Sequence, residues 1–344
     1  MITIEKTIDA VYGVIVTGFI GFAGRLIYNK IKKIDAINKP LEKIYLDTDE
    51  SKYIEEISKE NLEKINKIFS NQVKITGPYL NEPEIIVNGY FDEIDDAVRI
   101  KIKNYEQVFS KRNTPNDLHA IIVKEINHED DPIRLETKIA DYAMVRAIRE
   151  DKPSHLWPKI LSGSALVFDN QTGHLVLHRR SDNSATYKGH LHTIGGAFWP
   201  RTTTRDGDKN SIRNTVQREV FEEINTNIEI KKNTPLFLIE EINTGFIQFL
   251  YVGCNVIDSD RLEGNAEGTY TKRSFQKIEE LLNGSEKIVP SGEAAIFLWL
   301  AMGANGLGKE SNFRGKKSKE IFEKVVLKRL TSNQKPDVHV TEIA

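Results

Sequence analysis

The sequence predicts an α/β protein in which a membrane-spanning helix precedes two soluble domains. Three observations predict this organisation. Residues 10–24 carry no charge, short strands and helices alternate over 45–150, and a β-hairpin precedes an acidic helix within 155–330. With 344 residues, the chain is long enough for two or three domains.

The N-terminal apolar run predicts a single membrane span over about residues 8–28 within an anchor at 1–33. Residues 26–28 continue the run beyond Arg25, whose long side chain reaches the lipid headgroups, so the segment approaches spanning length. The charges that bound it are Asp9 on one side and Lys30, Lys32 and Lys33 on the other. The lysine excess predicts an external N-terminus and cytoplasmic domains at the cell inner membrane. A cleaved signal peptide or a buried core helix are the alternatives.

A stripe of small residues runs along this predicted helix. It consists of Gly13, Thr17, Gly21 and Gly24. Small side chains allow close contact between helices in lipid, so the stripe predicts a homo-oligomer in the bilayer. The alternative is that glycine is simply frequent in membrane helices.

Residues 34–50 are predicted to be a linker, because Pro40 interrupts any continuous helix there. A small mixed α/β domain follows over 45–150. Its predicted strands are 73–75, 84–87 and 118–123, and its predicted helices are 53–68, 93–109 and 133–150. The polar residues His119, His128, Asp130 and Asp131 are too few and too generic to indicate a catalytic group. We therefore expect them at the surface.

Charge and cysteine content exclude two classes of protein. The chain has 48 Lys and Arg against 50 Asp and Glu, which gives a net charge of −2. This balance provides no bulk attraction for duplex nucleic acid, so we expect no such partner. The single Cys254 excludes an intramolecular disulfide framework.

The chemistry of the chain is concentrated in one helical stretch. Glu219, Glu222 and Glu223 are spaced i, i+3 and i+4, so a helix places the three carboxylates on one face. Such crowding favours a hard cation, Mg²⁺ or Mn²⁺, and Arg218 can hold one carboxylate in place. The alternative is a solvated acidic face. A predicted hairpin over 164–180 and the Gly195-Gly196 pair precede the helix.

This succession of strands, a glycine pair and R-E-V-F-E-E resembles the Nudix hydrolase family, whose box is G-x5-E-x7-R-E-U-x-E-E-x-G-U. Two departures stand out. Gly196 precedes Arg218 by 22 positions instead of 14, so eight extra residues fall within 198–210. The position of the box's first glutamate falls on Asn210, and Asp206 or Asp208 replaces it only if the insertion shifts the alignment. The position of the second box glycine is Asn225, which tolerates the left-handed conformation that ends a helix.

The resemblance implies an α/β/α sandwich over 155–330, followed by a polar tail at 331–344. It implies metal-dependent hydrolysis of a nucleotide pyrophosphate linkage. The implied metal ligands are Gly196, Glu219, Glu222 and Glu223, and the implied catalytic residues are Arg218, Glu222, Glu223 and, more loosely, Glu267. Arg179, Arg180 and Lys188 are weaker phosphate-binding candidates, equally well explained as charges at strand edges. His174, His178, His190 and His192 are expected to be ordinary strand and rim histidines, not zinc ligands.

The whole arrangement also resembles the transmembrane-Nudix effectors of bacterial cyclic-oligonucleotide anti-phage (CBASS) systems, the CD-NTase-associated proteins. That resemblance implies an antiviral effector activated by a cyclic oligonucleotide, with the middle domain as its sensor. Two alternatives stay open. The Nudix-like domain can be a non-catalytic nucleotide-binding module, and the transmembrane helix can be what disrupts the membrane.

Overall fold

The computed structural model describes residues 57–92, 94–112, 116–182, 184, 187–202, 207–232, 234–265, 268–304 and 311–331. The predicted anchor at 1–33, the linker at 34–50 and the tail from residue 332 onward lie outside these ranges. No helix within the described ranges has both the length and the apolar composition needed to cross a bilayer. The described residues belong to one compact unit.

Helices and strands alternate along the described chain. The helices are α1 (Lys59–Ile68), α2 (Asp96–Arg112), α3 (Tyr142–Asp151), α4 (Ile212–Ile224), α5 (Ile278–Asn283), α6 (Pro290–Ala301) and α7 (Ser311–Thr331). The strands are β1 (Val73–Tyr79), β2 (Glu84–Tyr90), β3 (Leu118–Ile122), β4 (Arg134–Asp141), β5 (Lys159–Phe168), β6 (Leu175–Arg180), β7 (Leu191–His192), β8 (Ile194–Ala197), β9 (Ile228–Glu229), β10 (Leu236–Glu241), β11 (Phe246–Val256) and β12 (Gly268–Arg273).

One mixed sheet joins all the strands of the described chain. Its main path runs β1-β10-β11-β5-β3-β4-β2, and the remaining strands branch from it. Strand β5 is the hub, because it pairs in parallel with β11 and antiparallel with β3, β6 and β8. The sheet therefore continues across residues 150–155, where the sequence predicted a boundary between domains.

The two faces of β5 are covered by different helices. Leu161 and Ala165 point to the side where Val216 of α4 is buried. Phe168 points to the opposite side and lies 4.8 Å from the ring of Trp299 on α6. Helix α6 is buried along nearly its whole length and forms part of the core. The acidic helix α4 thus packs on one face of the sheet, and α6 packs on the other.

The prediction of a continuous helix over 133–150 is wrong in its first half. Residues Arg134–Asp141 form β4, whose side chains at Leu135, Thr137 and Ile139 are buried on alternate positions. Helix α3 begins only after Asp141, whose Oδ1 accepts a hydrogen bond of 2.7 Å from the Met144 amide. Alternation with period two and pairing with β2 and β3 decide in favour of a strand.

Candidate functional site

Helix α4 lies close against the centre of the sheet. Gly163 of β5 makes this possible, since a Cβ there would be only 3.1 Å from Val216 Cγ2. The helix is capped by Ser211, whose Oγ accepts from the Asn214 amide at 3.3 Å. It ends at Asn225 with φ 54° and ψ 30°, the left-handed conformation expected for this residue.

Arg218 organises the acidic face of α4. Its Nη1 donates to Glu219 Oε1 at 2.6 Å and to Glu222 Oε2 at 3.0 Å. Its Nη2 donates to the carbonyl of Ala197 at 2.8 Å, which ties the helix to β8. The guanidinium also lies over the ring of Trp199, 3.7 Å from the centroid. Arg218 thus holds two of the three predicted carboxylates at once.

Asp208 holds Arg218 from the other side. Its Oδ1 accepts from Arg218 Nε at 3.0 Å and its Oδ2 accepts from Nη2 at 3.2 Å, a bidentate pair. Oδ2 also accepts from the Trp199 amide and from Thr215 Oγ1. The Asp208 carboxylate is therefore held by hydrogen bonds, and its charged partner is Arg218. Asp206, the other acidic residue considered in the insertion, lies outside the described ranges.

Glu219 and Glu223 are the two buried carboxylates of the helix. Burial is the main reason that the pKa of Glu219 is raised to about 8; Glu223 and Glu222 also raise this pKa, and Arg218 lowers it. Gly196 allows its approach, since a Cβ at that position would lie 2.5 Å from the carboxylate. A glycine is needed here so that the carboxylate can reach the backbone of β8.

Glu223 faces the glycine pair and a buried histidine. Its Oε2 accepts from the Gly195 amide at 3.2 Å, and its Oε1 lies 3.0 Å from His178 Nδ1. His178 is 3% exposed, and its Nε2 has no hydrogen-bond partner among the described residues. The structure therefore places His178, expected to be an ordinary strand histidine, against one of the predicted metal ligands.

The remaining predicted carboxylates are less enclosed. The side chain of Glu222 is 42% exposed, and Glu267 lies outside the described ranges. Across those ranges, no group of three or more His, Cys, Asp or Glu side chains is placed so as to hold a metal ion. Arg218 pairs with both Glu219 and Glu222.

The weaker phosphate candidates lie in different environments. Arg179 donates to Glu286 at 2.6 Å and to the carbonyl of Gly189 at 3.0 Å. Lys188 is exposed and Arg180 is half-buried. Among the histidines considered for zinc, His192 Nε2 lies 3.2 Å from Ser291 Oγ, and His190 Nδ1 lies 2.8 Å from the carbonyl of Lys188.

Glu82, in the connection between β1 and β2, contacts the start of α4. Its Oε2 accepts from Ser211 Oγ at 2.8 Å and from the Arg213 amide at 3.2 Å, and its Oε1 accepts from Arg213 Nε at 3.0 Å. Sequence reasoning missed this contact, because Glu82 and Arg213 are 131 positions apart. A residue of the N-terminal half thus positions the acidic helix.

Comparison with known protein families and with curated proteins finds no match. Among solved structures, the chain is similar to a MutT protein from Methanosarcina mazei Go1, at 20% identity over 49% of this chain and 93% of that one, with a TM-score of 0.26. It is also similar to a Nudix hydrolase from Nitrosomonas europaea, at 17% identity over 41% and 88%, with a TM-score of 0.31.

A third similar structure is a bifunctional NMN adenylyltransferase/ADP ribose pyrophosphatase from Francisella tularensis, determined with AMP and a manganese ion. It matches at 15% identity over 45% of this chain and 44% of that one, with a TM-score of 0.33. At such low scores these likenesses are similarities only.

Proposed function

We propose that the chain hydrolyses a pyrophosphate linkage in a nucleotide with the help of Mg²⁺ or Mn²⁺. One observation carries this proposal. Glu219 and Glu223 lie against the Gly195-Gly196 segment, and Glu222 shares their face of α4. Arg218 holds Glu219 and Glu222, and His178 lies against Glu223. A cation held by these carboxylates would attract the anionic oxygens of a pyrophosphate.

The donor set fits a divalent ion. Burial raises the pKa of Glu219 to about 8, so its charged form lacks stabilisation that a cation among the three carboxylates would provide. Glu219, Glu222, Glu223 and the Gly196 carbonyl would be its ligands, all hard oxygen atoms. When bound, the ion would neutralise phosphate oxygens and acidify a water molecule.

The residues around the carboxylates have positioning roles. His178 and the Gly195 amide fix the two oxygens of Glu223, while Arg218 orients Glu219 and Glu222. Asp208 and the Ala197 carbonyl hold the guanidinium in turn. This arrangement keeps three carboxyl groups together before any ligand arrives, which is the preorganisation that catalysis needs.

The test is turnover of purified protein with Mg²⁺ or Mn²⁺ on a panel of nucleoside triphosphates, dinucleotides and nucleotide sugars. Glu222→Gln and Glu223→Gln should each lower turnover at least about tenfold, or about 1.4 kcal/mol of barrier. Glu229→Gln, an exposed glutamate on β9, is the matched control and should keep wild-type turnover. Equal turnover in wild type and both site variants would reject these residues as metal ligands.

A second candidate function is nucleotide binding without hydrolysis. The observation that favours it is the engagement of Glu219 and Glu222 by Arg218, together with the eight extra residues ahead of α4. A binding module would be stabilised by a nucleotide without forming product. Thermal melting and product analysis on the same samples separate the two functions.

The sequence resemblance to anti-phage effectors adds a biological setting to the proposal. In this extension the protein is a membrane-anchored anti-phage effector that a cyclic oligonucleotide activates. Cells expressing the full chain should retain it in the membrane fraction through high-salt and carbonate washes, and deletion of residues 1–33 should release it. Adding cyclic oligonucleotides to the substrate panel tests activation, and unchanged turnover with all of them would remove this part of the proposal.

A further inference from the structure

Arg149 is a buried cation on the last turn of α3. The residue is only 9% exposed. Its guanidinium lies 5.6 Å from the ring centroid of Trp157 and 5.5 Å from that of Phe246. The β10–β11 turn is also close, since a Cβ on Gly245 would lie 3.7 Å from Arg149 Nη2.

The hydrogen-bonding edge of this arginine is unused. Both Nε and Nη2 are buried without a hydrogen-bond partner among the described residues. These two N–H groups lie along the same edge of the guanidinium, the edge that receives two oxygens of a carboxylate or phosphate side by side. Aromatic rings stabilise the faces of the cation but satisfy neither N–H on that edge.

Arg218 shows what this edge does elsewhere in the same chain. There, Nε and Nη2 donate to the two oxygens of Asp208, while Trp199 covers one face. The arrangement at Arg149 has the aromatic contacts and lacks the carboxylate. The missing component is therefore a group with two oxygens in one plane.

The surroundings of Arg149 offer no substitute within the described chain. Glu241 is close enough to influence Arg149, but its Oε1 accepts from Ser291 and its Oε2 accepts from Thr244. His119 contributes a second unused group, since its Nδ1 is buried and has no partner among the described residues. Its ring lies edge-on to Tyr142 at 5.6 Å.

We propose that Arg149 is the base of a binding site for an oxyanion group, a phosphate or a carboxylate of a small ligand. Trp157 and Phe246 are the aromatic neighbours of the guanidinium in this site. The guanidinium edge receives two oxygens of the ligand. This site does not depend on hydrolysis at α4, so its failure and that of the proposed function are separate results.

The experiment titrates the full-length protein with sodium phosphate and, separately, with sodium acetate, against sodium chloride of equal ionic strength. Binding is followed by thermal melting and by NMR of the tryptophan indole signals. Metal-free buffer and a Glu223→Gln background remove binding at the acidic helix. Phosphate binding indicates a phosphate-bearing ligand, and acetate binding a carboxylate.

Arg149→Met and Arg149→Lys should each weaken the binding at least about tenfold, since neither side chain presents the two-donor edge. Lysine keeps the positive charge. Weaker anion binding by Arg149→Lys would therefore identify the two-donor edge, and not the charge, as what binds the anion. Arg261→Lys, on the exposed arginine that pairs with Asp258, is the matched control and should bind as the wild type does. Unchanged binding in both Arg149 variants, or no saturable binding of either anion to the parent protein, would overturn the proposal.

Discussion

Arg218 and Arg149 are equally buried, at 8% and 9% exposed, and both contact aromatic rings. They differ in the partner of the guanidinium edge, which is Asp208 for Arg218 and absent for Arg149 within the described residues. Burying an ion pair is tolerable when geometry and hydrogen bonds compensate for lost hydration, whereas an unpaired buried charge is costly. Within the described residues, the chain thus supplies a carboxylate to Arg218 and none to Arg149.

Arg213 is an intermediate case. Its side chain is 37% exposed and pairs with Glu82 through Nε at 3.0 Å. The same glutamate also accepts from Ser211 and from the Arg213 amide, so it works as a cap for α4. Solvent screens such a pair, and we therefore expect its contribution to fall between those of the two buried arginines.

The largest expected effect is that of Arg218→Met. Removing this cation leaves Asp208 and Glu219 buried without their partner, so the free energy of unfolding should fall by about 3–5 kcal/mol. Arg149→Met should change it by less than about 2 kcal/mol, because lost aromatic contacts are offset by no longer burying an unpaired charge. Urea unfolding of both variants measures the difference. Equal losses in the two variants would mean that Arg149 has a partner as strong as Asp208.

Glu82→Gln is expected to have a smaller effect. It weakens the bonds to Ser211 and to the Arg213 amide and ends the charge pairing with Arg213. The free energy of unfolding should fall by about 1–2 kcal/mol, the usual scale for a helix cap. Glu84→Gln, an exposed position at the start of β2, is the control and should resemble wild type. A change in Glu82→Gln no larger than in the control would remove Glu82 as a support of α4.

The smallest expected effect is a change in the pKa of His119 when Arg149 is replaced. Burial lowers the pKa of His119 to about 4; Asp117 raises this pKa, and Arg149 lowers it. The unfolded chain takes up this proton near pH 6.5, so stability should decline as pH falls from about 6.5 toward 4. NMR titration of the ring signals should show a higher pKa for His119 in Arg149→Met. An unchanged value would mean that the guanidinium is too distant or too screened to act on His119.

Local sequence patterns predicted much of the fold and half of the candidate site. The i, i+3, i+4 spacing placed Glu219, Glu222 and Glu223 on one face of a helix, since helical geometry follows from neighbours along the chain. Asn225 ends that helix in the left-handed conformation, as expected. These features depend on periodicity and on the intrinsic conformational preferences of single residues.

Local sequence patterns mispredicted the features that depend on contacts with residues distant in sequence. Residues Arg134–Asp141 form a strand because β2 and β3 pair with them on both sides. Asp208, a candidate for the first glutamate of the box, accepts hydrogen bonds from Arg218 and from the Trp199 amide, and spacing along the chain predicts neither contact. Residue spacing along the chain does not predict the contact between Glu82 and Arg213. It also does not predict the contacts of Arg149 with Trp157 and Phe246.

By itself, the sequence determined the acidic helix, its last residue and the strands that lead to it. These follow from side-chain periodicity and backbone preference, which act over a few neighbouring residues. Only the tertiary structure decided which charges have partners. Arg218 is paired and Arg149 is not, because pairing depends on which groups the sheet brings within hydrogen-bond distance and shields from water.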